Sequence, residues 1–284
     1  MNKDKFIGEI AEKLKLVPNI SAIVLGGSYA DGRQRPDSDI DLGLFYREKN
    51  PFSIEKIKKL AVELNDKPDP IVSDFNEWGY WINGGTWLII KGQRTDFIYR
   101  NYDLVEKTID ESINGELVND YYQDPPNGFH SFIYLAEIEI NKILYDPENL
   151  ISKLKKRVSI YPQKLKNKII NFFLWDSELA LSRARKFANR KEINLVAGSI
   201  TRIIHDLTLV LYALNEIYFF GVKRSYVDIP KFFITPPGFM QTVENISGNI
   251  GLNAGELNHS LEKCSNLIET CKRLAKDIYV PKYK

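Results

Sequence analysis

Apolar residues recur with two different spacings in the first hundred residues. Helical spacing covers residues 6–14 and 54–64. Shorter apolar runs typical of strands cover four segments: 21–25, 40–45, 87–90 and 95–99. Lys91-Gly92 separates the last two runs and predicts a hairpin turn. This order of elements predicts a small domain that mixes helices with strands.

Beyond residue 100 the apolar spacing is helical almost throughout. The predicted helices cover the following ranges: 102–114, 129–144, 150–158, 163–189, 192–220 and 255–279. Residues 221–254 are rich in Pro and Gly and predict a loop with one short helix. The breaker cluster Asp124–Gly128 predicts a boundary between a domain of residues 1–125 and one of residues 126–284. The fold class is therefore α+β, with a mixed sheet flanked by helices and then a C-terminal helical bundle.

Charge and hydropathy narrow the possible partners. Lys and Arg number 39 against 37 Asp and Glu, for a net charge of +2, which argues against a polynucleotide partner. The longest apolar run is about as long as Leu209–Leu214, far below the roughly 18 residues of a membrane span. The first ten residues lack the apolar region of a signal peptide. We therefore expect a cytoplasmic protein without a membrane partner.

One polar stretch, between the first two predicted strands, can carry chemistry. It begins with Gly26, Gly27 and Ser28, directly after a buried strand. Ser28 can open a short helix whose N–H groups would bind an anion, and glycine allows close approach to the backbone. Asp39 and Asp41 follow with one residue between them. Alternate residues of a strand share a face, so the two carboxylates project together and predict a divalent-cation site.

A third carboxylate, Asp96, lies inside the second strand of the predicted hairpin. Its neighbours Phe97 and Ile98 are apolar, so an unpaired charge would be unfavourable there. If this strand lies beside the strand at 40–45, three carboxylates converge next to the anion site. Such a cluster would hold one or two Mg²⁺ ions, as two-metal phosphoryl or nucleotidyl transfer requires.

These residues resemble the nucleotidyltransferase superfamily, which has the DNA-polymerase-β-like fold. They are most similar to the aminoglycoside adenylyltransferases. The matching positions are, in order, Gly27-Ser28, Asp31-Gly32, Pro36 and Ser38-Asp39-Ile40-Asp41-Leu42. The resemblance implies that Gly27, Ser28 and Ser38 contact a nucleoside triphosphate. It also implies that Asp39 and Asp41 bind Mg²⁺.

The later chain resembles uncharacterised members of the superfamily that carry a C-terminal helical domain. Asp96 would be the third carboxylate, either a metal ligand or the base that deprotonates the acceptor. The adenylyltransferases tend to carry Glu there, so its role stays open. Leu144–Asp146 is expected in a helix, and Tyr161-Pro162 before a long helix. Lys223, at the end of a third shared segment, is expected to contact phosphate or else to cap a helix end.

The function predicted from these residues is Mg²⁺-dependent nucleotidyl transfer in a cleft between the two domains. An NMP, expected to be AMP from ATP, moves to a hydroxyl of a small-molecule acceptor and pyrophosphate leaves. An antibiotic-modifying enzyme is one such protein. Two alternatives stay open: an enzyme that places AMP on a protein, and a nucleotide-binding regulatory protein without catalysis.

Several further residues have both a functional and a structural interpretation. Arg33 and Arg35 could bind the triphosphate or be solvated loop charges. His205 next to Asp206 could be catalytic, although a core histidine is the favoured interpretation. Glu137 and Glu139 could supply a general base.

Three tryptophans, Trp78, Trp81 and Trp87, lie in or beside a Gly-rich segment. One of them could stack on a base or a sugar, and hairpin core is the alternative.

Overall fold

A computed structural model describes residues 2–123 and 126–282 of the chain. Its α-helices are α1 Lys3–Leu14, α2 Gly27–Asp31, α3 Ile54–Leu64, α4 Tyr102–Ile113, α5 Ile133–Ile140, α6 Leu150–Val158, α7 Gln163–Asn189, α8 Ile193–Leu214, α9 Val222–Asp228, α10 Phe239–Gly248 and α11 Ala254–Leu274. Its strands are β1 Ala22–Leu25, β2 Ile40–Tyr46, β3 Ile71–Val72, β4 Gly85–Ile90, β5 Gln93–Asn101, β6 Asn119–Asp120, β7 Phe129–His130 and β8 Lys142–Tyr145.

The chain divides into two compact units. The first holds the described residues up to Glu111 together with Val118–Ile160. The second holds Ser112–Leu117 and the described residues from Tyr161 onward. This division differs from the predicted boundary after Pro125, a residue that lies outside the described ones. Residues 126–160 group with the sheet because β8 is one of its strands.

The first unit is built on a six-stranded mixed sheet with the order β3-β4-β5-β2-β1-β8. Strands β2 and β5 run parallel, and the other neighbouring pairs are antiparallel. Helices flank this sheet and form the C-terminal region, which confirms the α+β fold class. The parallel pair matters most for function because it joins the strands that carry Asp41 and Asp96.

One face of the sheet forms the core of the first unit. Alternate residues of β2 and β5 are fully buried there, since side chains along a strand alternate between faces. Helix α1 covers this core with an apolar stripe at helical spacing, and Asn2 caps it by accepting the N–H of Lys5 at 3.1 Å. The main members of the core are Phe6, Ile10, Leu14, Ile40, Leu42, Leu44, Phe97 and Tyr99. The opposite face carries Asp41 and Asp96.

The helix predicted over 129–144 is wrong. The segment forms β7, then α5, and then β8, which pairs with the edge of β1. An exposed edge of β1 would leave its N–H and C=O groups unpaired, and pairing with β8 outweighs the local helical spacing. Leu144 and Tyr145 therefore end strand β8 instead of lying in a helix. The carboxylate of Asp146 caps α6 by accepting the N–H of Leu150 at 2.7 Å.

The second unit is helical, with α7 and α8 packed along each other and α11 packed against both. Residues 221–254 contain α9, a 3₁₀ turn at Ile229–Lys231 and α10, so the prediction of one short helix is wrong. By length and composition α8 is the one described helix that could cross a membrane, with a mean hydropathy of 1.3. About 61% of that apolar window is buried within the protein, and a core helix gives the same values, so this is weak evidence for a span.

Candidate active site

The turn after β1 is shaped around Asp41. The N–H of Gly26 donates to the carbonyl of Asp41 at 2.8 Å, which joins the end of β1 to β2. Gly27 follows with φ of +57°, a conformation that favours glycine. A Cβ on Gly27 would lie 1.9 Å from Oδ2 of Asp41. The carboxylate of Asp41 therefore packs directly on the backbone of Gly27, and no larger residue fits there without moving it.

Helix α2 begins at this turn, as the sequence predicted for a short helix at Ser28. It ends at Gly32, which has φ of +76° and closes the helix through a hydrogen bond to the carbonyl of Ser28. The first N–H groups of a helix have no acceptor within the helix. Gly27 and Ser28 therefore bring backbone donors next to the carboxylate of Asp41.

The parallel pairing of β2 with β5 brings the predicted carboxylates together. Asp41 and Asp96 are register partners, so their side chains leave the same face of neighbouring strands. Strands in a sheet lie roughly 4.8 Å apart, which sets the spacing of the two residues. Asp39 precedes β2 and lies two residues before Asp41. The condition that the sequence left open, adjacency of the two strands, is met.

Burial and two acidic neighbours raise the pKa of Asp96. Burial is the largest cause that raises its pKa, and the charges of Asp41 and then Asp39 raise it further, to about 7. Arg94, two residues earlier on the same face of β5, lowers that pKa. A carboxyl group with such a pKa can hold or release a proton near neutral pH, which suits a general base.

The donor set suits a hard divalent cation. One oxygen of Asp39, Oδ1, is buried and has no hydrogen-bond partner among the residues that the structure describes. Within residues 2–123 and 126–282, no three His, Cys, Asp or Glu side chains are arranged to hold a metal ion by themselves. Mg²⁺ is usually held by one or two carboxylates together with substrate phosphates. The residues present fit that mode, with phosphate oxygens completing the coordination.

Ser38 closes the loop that precedes Asp39. Its hydroxyl accepts the N–H of Arg35 at 2.8 Å, and its own N–H donates to the carbonyl of Arg35 at 3.0 Å. Gln93 at the start of β5 donates to the carbonyl of Ser38 at 2.9 Å. The loop is thereby fastened to the strand that carries Asp96. Ser38 thus has a structural role in positioning Asp39, and its predicted triphosphate contact is untested.

The basic candidates lie in different places. Arg33 and Arg35 are exposed in the loop after α2, and the N–H of Arg33 donates to Asp31 at 3.0 Å. Lys223 is exposed in α9 of the second unit. Asn215, in the chain segment that leads to Lys223, has a structural role: its side-chain amide donates to the carbonyls of Leu211 and Ile234, both at 2.8 Å. Lys223 as a phosphate contact remains a prediction.

Two arginines on the carboxylate-bearing face of β5 were not predicted. Arg94 is exposed next to Asp96, and Arg100 lies four residues further on. Arg100 binds both oxygens of Glu137, with its Nε at 2.9 Å and its Nη2 at 2.8 Å. Burial lowers the pKa of Arg100, but Glu137 offsets this, so the pKa is raised overall. Glu137 is thus a structural partner, which argues against its predicted role as a base. Because alternate residues of a strand share a face, the spacing of residues 94, 96, 98 and 100 could have indicated that both arginines lie on the face of Asp96.

His205 and Asp206 lie in a buried polar cluster of the second unit. Burial and then the charge of Arg202 lower the pKa of His205 to about 4, so it is neutral at pH 7. Arg202 donates to Asp176 at 2.6 Å, and Asp206 hydrogen-bonds Asp176. Burial and the charge of Asp176 raise the pKa of Asp206. His205 is buried in the core of the bundle, as the favoured interpretation expected.

Part of the first unit matches a family model. Residues 8–76 fit the sequence model of the family described as Polymerase beta, Nucleotidyltransferase. That segment contains Gly27, Ser28, Ser38, Asp39 and Asp41, and it ends before β5. The chain therefore carries an N-terminal domain of the nucleotidyltransferase superfamily, which confirms the resemblance at that level. The more specific likeness to aminoglycoside adenylyltransferases remains a prediction.

One solved structure similar to this chain is a nucleotidyltransferase-like protein from Exiguobacterium sibiricum. The two share 9% sequence identity with a TM-score of 0.43, over 95% of this chain and 77% of the other. A likeness of that size does not by itself establish a function. Among curated proteins, none matches the chain.

Proposed function

We propose that this nucleotidyltransferase moves AMP from ATP to a hydroxyl of a small-molecule acceptor and releases pyrophosphate. The observation that supports it best is the register pairing of Asp41 with Asp96 beside the Gly27–Ser28 turn. This arrangement puts acidic side chains of the central strands β2 and β5 next to the backbone N–H donors of the turn after β1. Nucleotidyl transfer needs acidic side chains to bind cations and N–H donors to bind the anionic oxygens of the phosphates.

Asp39 and Asp41 would hold Mg²⁺ together with phosphate oxygens of the nucleotide. Bound Mg²⁺ neutralises charge on the α-phosphate and on the leaving pyrophosphate. The buried, unbonded Oδ1 of Asp39 supports this proposal, because a buried oxygen without a partner is unfavourable unless a ligand completes it. Asp96 would serve either as a further ligand or as the base.

The other residues would bind and orient the nucleotide. The backbone N–H groups of Gly27 and Ser28 would hold the β- and γ-phosphates, with Ser38 as a further contact. The acceptor oxygen forms a bond to the α-phosphorus in line with the leaving group. The bond from that phosphorus to pyrophosphate breaks, and the hydroxyl proton passes to Asp96 or to water.

The test measures pyrophosphate release with Mg²⁺, each of the four NTPs and a panel of aminoglycosides and lincosamides. We expect release that requires both the acceptor and Mg²⁺ and that Asp39→Ala abolishes. Asp37→Ala is the matched control, because Asp37 is an exposed carboxylate only two residues earlier. That variant should keep its activity.

Three outcomes would contradict the proposal. Turnover that Asp39→Ala leaves unchanged would exclude the carboxylate site. Nucleotide binding without turnover against any acceptor would favour a regulatory protein. Transfer of labelled AMP to a protein rather than to a small molecule would favour protein modification.

A further inference from the structure

A row of register neighbours crosses four adjacent strands on the carboxylate-bearing face. Asp41 of β2 pairs with Asp96 of β5, Asp96 pairs with Trp87 of β4, and Trp87 pairs with Ile71 of β3. Paired residues share a face and lie about one strand spacing apart, roughly 4.8 Å. The row therefore changes from acidic to apolar immediately beyond Asp96.

The apolar half of this row is exposed to solvent. Trp87 is 54% exposed and Ile71 is 52% exposed. Their neighbours Leu88 and Ile90, which point to the other face of β4, are buried in the core. An exposed tryptophan beside a catalytic-type cluster is typical of a binding surface rather than of hairpin core.

Trp87 is held in place by Trp78. The two indole rings stack with centroids 5.0 Å apart and planes inclined by 26°. The backbone of Trp78 is fixed in turn: its backbone N–H donates to the carbonyl of Asn83 at 2.9 Å, and its carbonyl accepts from the side-chain amide of Gln123 at 2.8 Å. Gly85 makes room for it, because a Cβ there would lie 2.9 Å from the ring of Trp78. With Trp78 on one face, the exposed area of Trp87 lies on its other face and its edge.

The strand order places this platform on the side of the acceptor. The Gly27–Ser28 turn follows β1, which neighbours β2, whereas Trp87 lies on β4 at the far side of Asp96. In an in-line transfer the leaving pyrophosphate and the attacking oxygen lie on opposite sides of the α-phosphorus. A nucleotide whose phosphates lie at the turn therefore leaves the Trp87 side to the acceptor.

We propose that Trp87, supported by Trp78, is the platform on which a planar aromatic ring of the acceptor stacks while the acceptor's hydroxyl group lies at Asp96. This inference rests on the proposed transfer reaction and adds the chemical class of its acceptor. An indole face and an aromatic ring attract each other through offset stacking, which a saturated ring of equal size gains only in part. Transfer then proceeds as above. The hydroxyl oxygen of the acceptor bonds to the α-phosphorus, the bond from that phosphorus to pyrophosphate breaks, and the hydroxyl proton passes to Asp96 or to water.

Fluorine NMR of the full chain labelled with 5-fluorotryptophan tests the binding directly. The four tryptophan signals are assigned with single Trp→Phe variants, and Mg²⁺ with α,β-methylene-ATP fills the nucleotide site. Benzyl alcohol and cyclohexylmethanol are the matched probes, since they share a hydroxymethyl arm and differ in the planarity of the ring. Trp175 of the second unit is the internal control.

We expect benzyl alcohol to shift the Trp87 signal and to leave that of Trp175 in place. It should bind about 2- to 10-fold more tightly than cyclohexylmethanol, as stacking predicts. Trp87→Ala should remove this preference, and Trp87→Phe should retain part of it. Equal affinity for the two alcohols, or a preference that survives Trp87→Ala, would overturn the proposal.

Turnover measurements distinguish a failure of the Trp87 platform from a failure of the transfer reaction. With ATP and benzyl alcohol, Trp87→Ala should raise the KM for the alcohol and leave the KM for ATP unchanged. If the Trp87 signal shifts but the unsubstituted protein releases no pyrophosphate, the transfer reaction is contradicted and the platform is supported. If the Trp87 signal stays still, the platform is contradicted whatever the turnover.

Discussion

Replacing Gly27 with alanine tests whether the turn after β1 fixes Asp41. Gly27 has φ of +57°, and a Cβ there would lie 1.9 Å from Oδ2 of Asp41. An ordinary contact needs at least 3.4 Å, so the carboxylate must retreat by about 1.5 Å. The left-handed backbone also costs a residue other than glycine about 1–2 kcal/mol. Gly27→Ala should therefore lose stability and also displace a residue proposed to hold the metal.

Gly32→Ala separates these two effects. Gly32 has φ of +76°, and a Cβ on it would meet nothing within 4 Å. Gly32→Ala should therefore lose about 1–2 kcal/mol in the free energy of unfolding, measured by urea denaturation, and Gly27→Ala should lose at least as much. A displacement of about 1 Å at a reacting site can reduce turnover about 100-fold. We expect Gly27→Ala to lose about that much pyrophosphate release, whereas Gly32→Ala should stay close to the unsubstituted protein.

Calorimetric titration with Mg²⁺ and a non-hydrolysable ATP analogue provides a second readout. Gly27→Ala should weaken nucleotide binding more than Gly32→Ala does, because the phosphates would lie against the same turn. If the two variants match each other in turnover and in nucleotide affinity, the packing of Asp41 on Gly27 has no functional role. That result would refute the assignment of this turn to the nucleotide site.

Three further predictions concern buried charges. Arg100→Met leaves the half-buried Glu137 without its ion-pair partner and should cost about 1–3 kcal/mol in the free energy of urea unfolding. Glu137→Gln should cost less, because the amide oxygen still accepts a hydrogen bond from Arg100. Asp206 has a raised pKa in the folded protein, so its contribution to stability is lost as pH rises above its unfolded value of 3.8; Asp206→Asn should stabilise the protein, and more at pH 7 than at pH 5. His205 has a pKa lowered from 6.5 to about 4 in the folded protein, so stability should fall by up to about 3 kcal/mol as the pH drops from 6.5 to 4. His205→Gln should reduce this pH-dependent loss. An unchanged pH profile of the variant would contradict the buried neutral state.

Much of the first unit could be predicted because its helices and strands follow from residues that are close together in the sequence. The spacing of apolar residues gave α1, α3 and the hairpin of β4 and β5, since a helix or strand imposes its own period on buried positions. The motif from Gly27 to Asp41 could be interpreted in the same way. Two glycines after a buried strand predict a tight turn, and Asp39 and Asp41 lie two residues apart along the chain.

Other features could not be predicted because they depend on partners distant in sequence. Nothing near residues 142–145 favours a strand over the end of a helix until the free edge of β1 is known. The pairing of the half-buried Glu137 with Arg100 joins residues 37 apart in the sequence. A helical periodicity cannot distinguish a catalytic His205 from one buried in the core of the helical unit beside Phe219.

The sequence by itself determined the motif, its order of elements and the chemistry of its residue types. The tertiary structure decided which of those residues meet. Asp96 joins Asp41 because β2 and β5 pair in parallel with those two residues in register. Trp87 joins the same row because β4 pairs with β5 at that position, which no local pattern specifies. Strand pairing brings distant residues within about 5 Å, and its register decides which of them share a face.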